Sequence, residues 1–320
     1  MLTSILAPVD FSRDSARGLQ LATEIARRHS ARLTLLHVDG LPAYSDQVPN
    51  FAADRAWGEY LTEHDRALEA RLREFVRPFE FEGELECVVA RGDAASAIVA
   101  HARQRACDLL VIAPRGAGYG QQFLLGSVSA QVAAEAACPV LVARSRAGAA
   151  VLGGGFSEPL VAVSNLELAA RALEVTRSVA RAGTRVELLH VLESGEIAVG
   201  PPLPGAFHDA VAKGRRDVKA RLERLASPLR AAGFATSVRV ETGDPAFSIL
   251  CRAESNANGL VVVARQTRRD APSSLSTPAY RMVKHAPVPV LVVPGGKLQL
   301  SKPLPPTNSR KMDVAGTWSG

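Results

Sequence analysis

Three short stretches of the chain carry residue types and spacings that could do chemistry. Pro8-Val9-Asp10 closes an apolar run and leaves a carboxylate at its end. Ala113-Pro114-Arg115-Gly116 closes another, and Gly126-Ser127 opens a helical pattern ten residues after Gly116 (126 − 116). A glycine lets a phosphate approach the backbone, and a helix N-terminus offers free N–H groups and the positive end of a dipole. Ser127 adds a hydroxyl, and Arg115 carries a charge that could reach a phosphate. Asp10 is an acceptor suited to an amino or hydroxyl group of a nucleoside; its alternative role is to cap the helix that follows.

Other chemistries find less support. None of Cys87, Cys107, Cys138 and Cys251 forms a CxxC pair, and the seven histidines supply no HxxxH or HExxH spacing. No disulfide framework or zinc site is expected. Cys107 and Cys138 flank apolar runs and read as small core residues. His37 and His190 hold equal places in two similar segments, which points to packing. The run Gly116-Ala-Gly118-Tyr-Gly120 invites a dinucleotide reading, but Gln121 stands where GxGxxG needs its last glycine. No GxxxxGK[ST] loop exists, and no catalytic triad can be named. Trp57 and Tyr60 could cover a base, though the rim of a core suits them better.

The balance of 38 basic against 32 acidic residues gives a formal charge of +6. Lys297, Lys302, Arg310 and Lys311 against Asp313 put half of that excess at the C-terminal end. No basic stripe interleaved with aromatics exists, so no nucleic-acid partner is expected. No run of about 18 apolar residues exists, so no membrane span is expected. Met1–Asp10 reads as a strand and not as a secretory signal, and the expectation is a cytoplasmic protein.

The elements that must position these residues come twice. Ile5–Asp10 (ILAPVD) recurs at Leu160–Asn165 (LVAVSN), and Leu33–Val38 (LTLLHV) at Val186–Val191 (VELLHV). Arg91–Val99 recurs at Thr242–Leu250, Asp108–Ala113 at Gly259–Ala264, and Cys138–Ala143 at Val288–Val293. The offset falls from 155 (160 − 5) to 150 (288 − 138), as loop indels produce. This is a duplicated domain rather than a solenoid. Each apolar run is short, rich in Val, Ile and Leu, and does not alternate, as strands of a parallel sheet covered on both faces do. Between them lie helical patterns: Ala16, Leu19, Ala22 and Ala26 after Ser12, a candidate N-cap; Leu61, Leu68, Leu72 and Phe75; and Val218, Leu222, Leu225 and Leu229. The expected fold class is α/β: two tandem open parallel sheets flanked by helices, residues 1–147 and 158–296. The Gly-rich stretch Arg146–Ser157 links them, and 297–320 is expected to be a disordered basic tail. Leu41–Trp57 is long for a loop and could lid a ligand crevice.

The segment Asp108–Arg144 resembles the universal stress protein family, whose nucleotide motif reads G-x-x-G-x9-G-[ST]. Here the match is Ala113-x-x-Gly116-x9-Gly126-Ser127, with ILAPVDFS, LLHV and RGDAASAIV in the family's order. The resemblance covers nearly the whole chain as two tandem copies. It implies two five-stranded sheets packed as an intrachain pseudo-dimer, final strand against final strand, with a homodimer of chains left open. It also implies ATP, with or without Mg²⁺, in a cleft of the first copy. Pro8, Val9 and Asp10 would meet the adenine with Val38. Ala113, Arg115, Gly116, Gly126, Ser127 and the Val128 N–H would line the ribose and phosphates. The departure is Ala113 in place of the first glycine.

The second copy departs further. Ser164 takes the place of Asp10, Thr267 that of Gly116, and Ser276-Thr277 that of Gly126-Ser127; Pro278 then removes a backbone N–H. One nucleotide site per chain is expected. The resemblance implies a stress-response binding or regulatory protein without efficient turnover, not an enzyme. A nucleotide-independent interaction protein of the same fold and a weak ATPase are the rival readings. A protein partner is not legible.

Overall fold

The computed structural model describes residues 1–40, 55–114, 126–144, 155–193, 204–255, 259–265 and 277–295. Of the expected lid, Leu41–Trp57, residues 41–54 lie outside the described residues and 55–57 begin α2; the expected tail, 297–320, also lies outside the described residues. The first half runs β1 (Ser4–Pro8), α1 (Arg13–His29), β2 (Arg32–Asp39), α2 (Arg55–Val76), β3 (Leu85–Arg91), α3 (Ala94–Gln104), β4 (Leu109–Ile112), α4 (Ser127–Glu135) and β5 (Val140–Val142). The second repeats it as β6 (Leu160–Ala162), α5 (Leu166–Val179), β7 (Arg185–Leu192), α6 (Pro204–Ala231), β8 (Ala235–Thr242), α7 (Pro245–Ser255), β9 (Val261–Arg265), α8 (Thr277–His285) and β10 (Val290–Pro294). Among the described residues no helix is long and apolar enough to cross a membrane.

The strands form one sheet, in the order β3-β2-β1-β4-β5-β10-β9-β6-β7-β8. Pairing is parallel within each half and antiparallel at the join, where Leu141 faces Leu291 and Val142 faces Val290. The two five-stranded sheets expected from the sequence are thus one continuous sheet. That join removes a free apolar edge from each half. Alternate strand residues serve two cores. Ile5, Leu33, Leu109 and Leu141 pack under α1 and α2, in one cluster with their counterparts under α5 and α6. Leu6, Leu36, Leu110 and Val142 face α3 and α4, clustered with residues of α7 and α8. Burial on both faces is why the strand sequences are apolar without alternation.

Arginines fasten the halves together. Arg265, buried at the end of β9, donates to the Ala134 carbonyl and, at 2.6 Å, to the Ala136 carbonyl, at the C-terminus of α4. Arg144, beyond β5, donates to the Val283 carbonyl and, at 2.8 Å, to the Lys284 carbonyl, in the last turn of α8. Each cation meets the negative end of the other half's last helix, where unpaired carbonyls remain. On the opposite face Arg28 donates to the Ala180 carbonyl at 2.9 Å, and His29 Nε2 lies 2.7 Å from the Ser178 carbonyl.

Candidate functional site

The strand order changes side between the parallel strands β1 and β4: β1 leads outward to β2 and β3, while β4 leads to β5 and the join. The crevice at such a switch point, beyond the strands' carboxyl ends, is where open α/β sheets take ligands. Pro8 ends β1, and Val9 and Asp10 follow it; Ala113 and Pro114 follow β4. Val38 lies near the end of β2 and packs against the core on the α3 and α4 side.

The turn out of β1 is tightly specified. Phe11 takes a left-handed φ of 62°, a conformation that a bulky residue adopts only when its surroundings hold it there. The Asp10 carboxylate accepts from the Ser12 N–H at 3.0 Å across that residue. Ser12 is the N-cap of α1, its hydroxyl accepting from the Ser15 N–H at 3.1 Å. The cap is therefore Ser12, and Asp10 braces the turn ahead of it. His37 Nδ1 lies 2.8 Å from the Val9 carbonyl, which can only accept, so the ring carries a proton there. His190 stands in the same relation to the Val163 carbonyl at 2.6 Å. Both histidines tie the second strand to the first and are structural. They also make Val163 the counterpart of Val9, which puts Ser164 at the position of Asp10.

The second wall of the crevice is the start of α4. The Gly126 N–H donates to the Pro114 carbonyl at 2.8 Å, and the buried Ser129 hydroxyl donates to the same carbonyl at 2.8 Å. Ser129, which the sequence reading passed over, thus clamps the helix to the end of β4. Its signal was there: a serine at the third helical position beside a glycine cap. Gly126 is the N-cap and has no side chain to offer the first-turn N–H groups. By contrast Ser12 caps α1, Asp93 caps α3 and Asn165 caps α5, each with a side-chain oxygen. Asp244 does the same for α7, accepting from the Phe247 N–H. The first turn of α4, at Ser127 and Val128, has no side-chain cap for its backbone donors. Ser127 is exposed and Val128 half-buried. Arg115 and Gly116 lie outside the described residues.

Trp57 and Tyr60, which the sequence offered as a cover for a base or as the rim of a core, have a further partner in His64, which the sequence reading missed. Trp57, Tyr60 and His64 stack along α2, with ring centroids 5.3 Å and 5.7 Å apart, at the spacing of one helix face. His64 Nε2 then meets Asp39 Oδ2 at 2.9 Å, at the end of β2. Tyr60 is 51% exposed, so this stack lies at the surface. Cys107 and Cys138 are buried as expected, their thiols pushed up to about 11 and about 12 by burial. Asp108, buried at the far end of β4, accepts from the Thr3 N–H and hydroxyl, each at 2.7 Å, and is structural. Among the described residues no group of three or more His, Cys, Asp or Glu side chains is placed to hold a metal ion.

In the second half the corresponding crevice is a cavity of about 230 Å³, lined among others by Ser164, His190, Glu193 and Pro278. Pro278 sits in the first turn of α8 and offers no N–H, so this helix lacks a donor that α4 keeps. Thr267 and Ser276 lie outside the described residues.

Two copies of one crevice on one sheet, with a glycine cap in the first, agree with comparison to known proteins. The universal stress protein family model matches residues 1–144 and again residues 159–294. The chain belongs to the universal stress protein family. It is 29% identical over 151 residues to universal stress protein YxiE of Bacillus subtilis, covering 45% of this chain and 100% of that protein. It is 32% identical over 146 residues to a universal stress protein of Thermus aquaticus, again 45% of this chain and all of the relative. Among solved structures, a universal stress protein from Archaeoglobus fulgidus superposes with a TM-score of 0.66 at 22% identity, covering 91% of this chain and 98% of that one. That likeness extends over both halves and bears on the fold.

Proposed function

We propose that the first half of this universal stress protein binds an adenine nucleotide, ATP, at the switch point between β1 and β4, as a sensing or regulatory module with little turnover. The observation that carries this reading is the bare N-terminus of α4. Gly126 caps it without a side chain, and Ser129 and Gly126 both hold the Pro114 carbonyl, so the first-turn donors are fixed in direction. Rigid backbone N–H groups at a helix start suit a phosphate. Across the crevice, Asp10 would offer an acceptor to a base, and Val9 and Val38 an apolar edge. The residues fit a nucleotide, whose phosphates would bring any Mg²⁺ with them.

The expectation of slow turnover is supported by how two nearby carboxylates are used. Asp10 is committed to the Ser12 N–H and Asp39 to His64. Neither is arranged as a general base for water. Ala113 favours the rival reading, a protein of this fold that works without nucleotide. It is 7% exposed at the end of β4, and its methyl occupies the position where the family motif has glycine.

The test is to purify the chain without added nucleotide, denature it and identify what is released, then titrate the stripped chain with ATP and Mg²⁺ by calorimetry. About one ATP per chain is expected. Gly126→Asp places a carboxylate at the phosphate position and is expected to abolish binding; Thr277→Ala is expected to leave it unchanged. No release and no heat would remove nucleotide binding and leave the interaction protein. Unchanged affinity in Gly126→Asp would move the site elsewhere.

A further inference from the structure

The two halves differ in what fills the space where α1 meets α2 and where α5 meets α6. Leu72 and Val76 of α2 and Leu222 and Ala226 of α6 are the buried pairs, four residues apart, that set the two helices on the sheet. In that register Phe75 answers to Leu225, Phe79 to Leu229 and Arg71 to Arg221. In the first half the space between the helices is filled by rings. Phe11 and Phe75 meet edge to face at 5.5 Å, and the Arg71 guanidinium lies 4.0 Å over the Phe11 ring. In the second half Asn165 stands at the place of Phe11 and caps α5, and Leu225 and Leu229 replace Phe75 and Phe79. What remains is a groove of about 510 Å³ between α5 and α6. That volume is within the range of about 300–1,000 Å³ usual for small-molecule sites.

The groove has an apolar floor and a cationic rim. Leu166, Leu173, Leu225 and Leu229 make the floor, and Arg177, Arg221 and Arg224 stand on the rim, all three exposed. Among the described residues none of these arginines makes a salt bridge or a side-chain hydrogen bond. Glu174, the acid on the rim, acts on Arg171 of its own helix. An apolar trough with unpaired guanidinium groups at its lip asks for an apolar body bearing an anion.

We propose that the groove between α5 and α6 binds a single-chain amphiphile with an anionic head, of the class of fatty acid carboxylates. The chain lies on the leucines, in the space that phenylalanine rings fill in the first half. The carboxylate meets Arg177, Arg221 and Arg224. This site is separate from the nucleotide crevice, lying on the other helix layer of the other half, and does not depend on that reading.

The test is calorimetric titration of the full chain with monomeric dodecanoate. One molecule per chain is expected, with roughly tenfold weaker binding for each two methylenes removed. Dodecyltrimethylammonium, with the same tail and the opposite charge, is expected to bind at least about tenfold more weakly. Leu166→Phe with Leu225→Phe, both on the groove floor, fills it with rings and is expected to abolish binding with the melting temperature kept. Should that variant fail to fold, Arg221→Ala with Arg224→Ala, both at exposed positions, is expected to weaken dodecanoate about tenfold or more. Absence of heat, equal affinity for both head groups, or full binding by a folded Leu166→Phe/Leu225→Phe variant would overturn the proposal. So would binding to phosphatidylglycerol vesicles without binding to the monomeric acid, since the surface would then be a membrane contact.

Discussion

Replacing Arg265 by methionine tests whether the second half holds the first half's candidate phosphate helix in place. Arg265 is 7% exposed, and burial pulls its pKa below the usual guanidinium value. Its two terminal nitrogens donate to the Ala134 and Ala136 carbonyls at the end of α4. Methionine keeps the apolar stem and leaves both carbonyls without these donors. A hydrogen bond from a charged donor is worth about 1.5–3 kcal/mol, so two would give about 3–6 kcal/mol. The gain is reduced by the cost of burying the cation, whose Nε finds no acceptor among the described residues. A net loss of about 3 kcal/mol is expected. With a urea m-value of about 2 kcal/mol/M, the midpoint should fall by about 1.5 M. Equilibrium denaturation followed by circular dichroism reads this, with Arg216→Met as an exposed control expected to shift little. Arg265→Lys should recover only part of the loss, because an ammonium cannot fork to two carbonyls. A midpoint unchanged or raised in Arg265→Met would refute the reasoning, showing that desolvation cancels the two bonds.

The contact between α1 and α5 should make stability depend on pH. Burial lowers the His29 pKa below its ordinary 6.5, with Arg28 and the N-terminal ammonium adding to the effect and the Ser178 carbonyl opposing it. The unfolded chain therefore binds the proton more readily, so this contribution is present above about pH 6.5 and is lost as pH falls below it. Urea midpoints between about pH 7 and about pH 5 should fall in the parent and fall less in His29→Gln; parallel curves would remove His29 as the cause. Thiol labelling should find one fast cysteine in the native chain. Cys251 is exposed, whereas Cys87, Cys107 and Cys138 are buried, and fast labelling of a Cys251→Ser variant would contradict that.

Much of this architecture was legible because burial on both faces leaves a plain mark. Four apolar runs, repeated in order, mark β1, β2, β4 and β5 and their counterparts, while the fifth repeated segment, Arg91–Val99, is the turn into α3; the last run of each copy pairs with the other as β5 and β10. Ser12 was readable as a cap because serine before an apolar periodicity has one common use. The site was partly legible for a related reason. Asp10 and Gly126-Ser127 stand at strand and helix ends, and spacing alone places such residues at one edge of the sheet. The structure holds Val9 and Asp10 on one side of the switch point and Gly126, Ser127 and Ser129 on the other. Three things left no periodic trace. The left-handed Phe11 is a single dihedral imposed by its surroundings. The arginine links depend on how long side chains reach across a join. The His64–Asp39 contact joins residues 25 apart whose meeting is decided by helix placement.

The second half keeps its fold although Pro278 and Ser164 have replaced features that a phosphate cradle and a base contact would use. Its retention has a physical reason in the join itself. Without β10, strand β5 would expose three residues of fully buried apolar backbone, Val140, Leu141 and Val142, as a free edge. Without Arg265, α4 would end on unpaired buried carbonyls while its other end carries the candidate phosphate donors. The second copy thus completes the sheet and holds the C-terminus of the helix on which the first copy's proposed site depends. That dependence gives Arg265→Met a second readout. If α4 is held from its C-terminus, ATP affinity should drop along with stability. A variant that is less stable but binds ATP undiminished would show that Ser129 and Gly126 alone set the helix, and that the second half contributes only an edge.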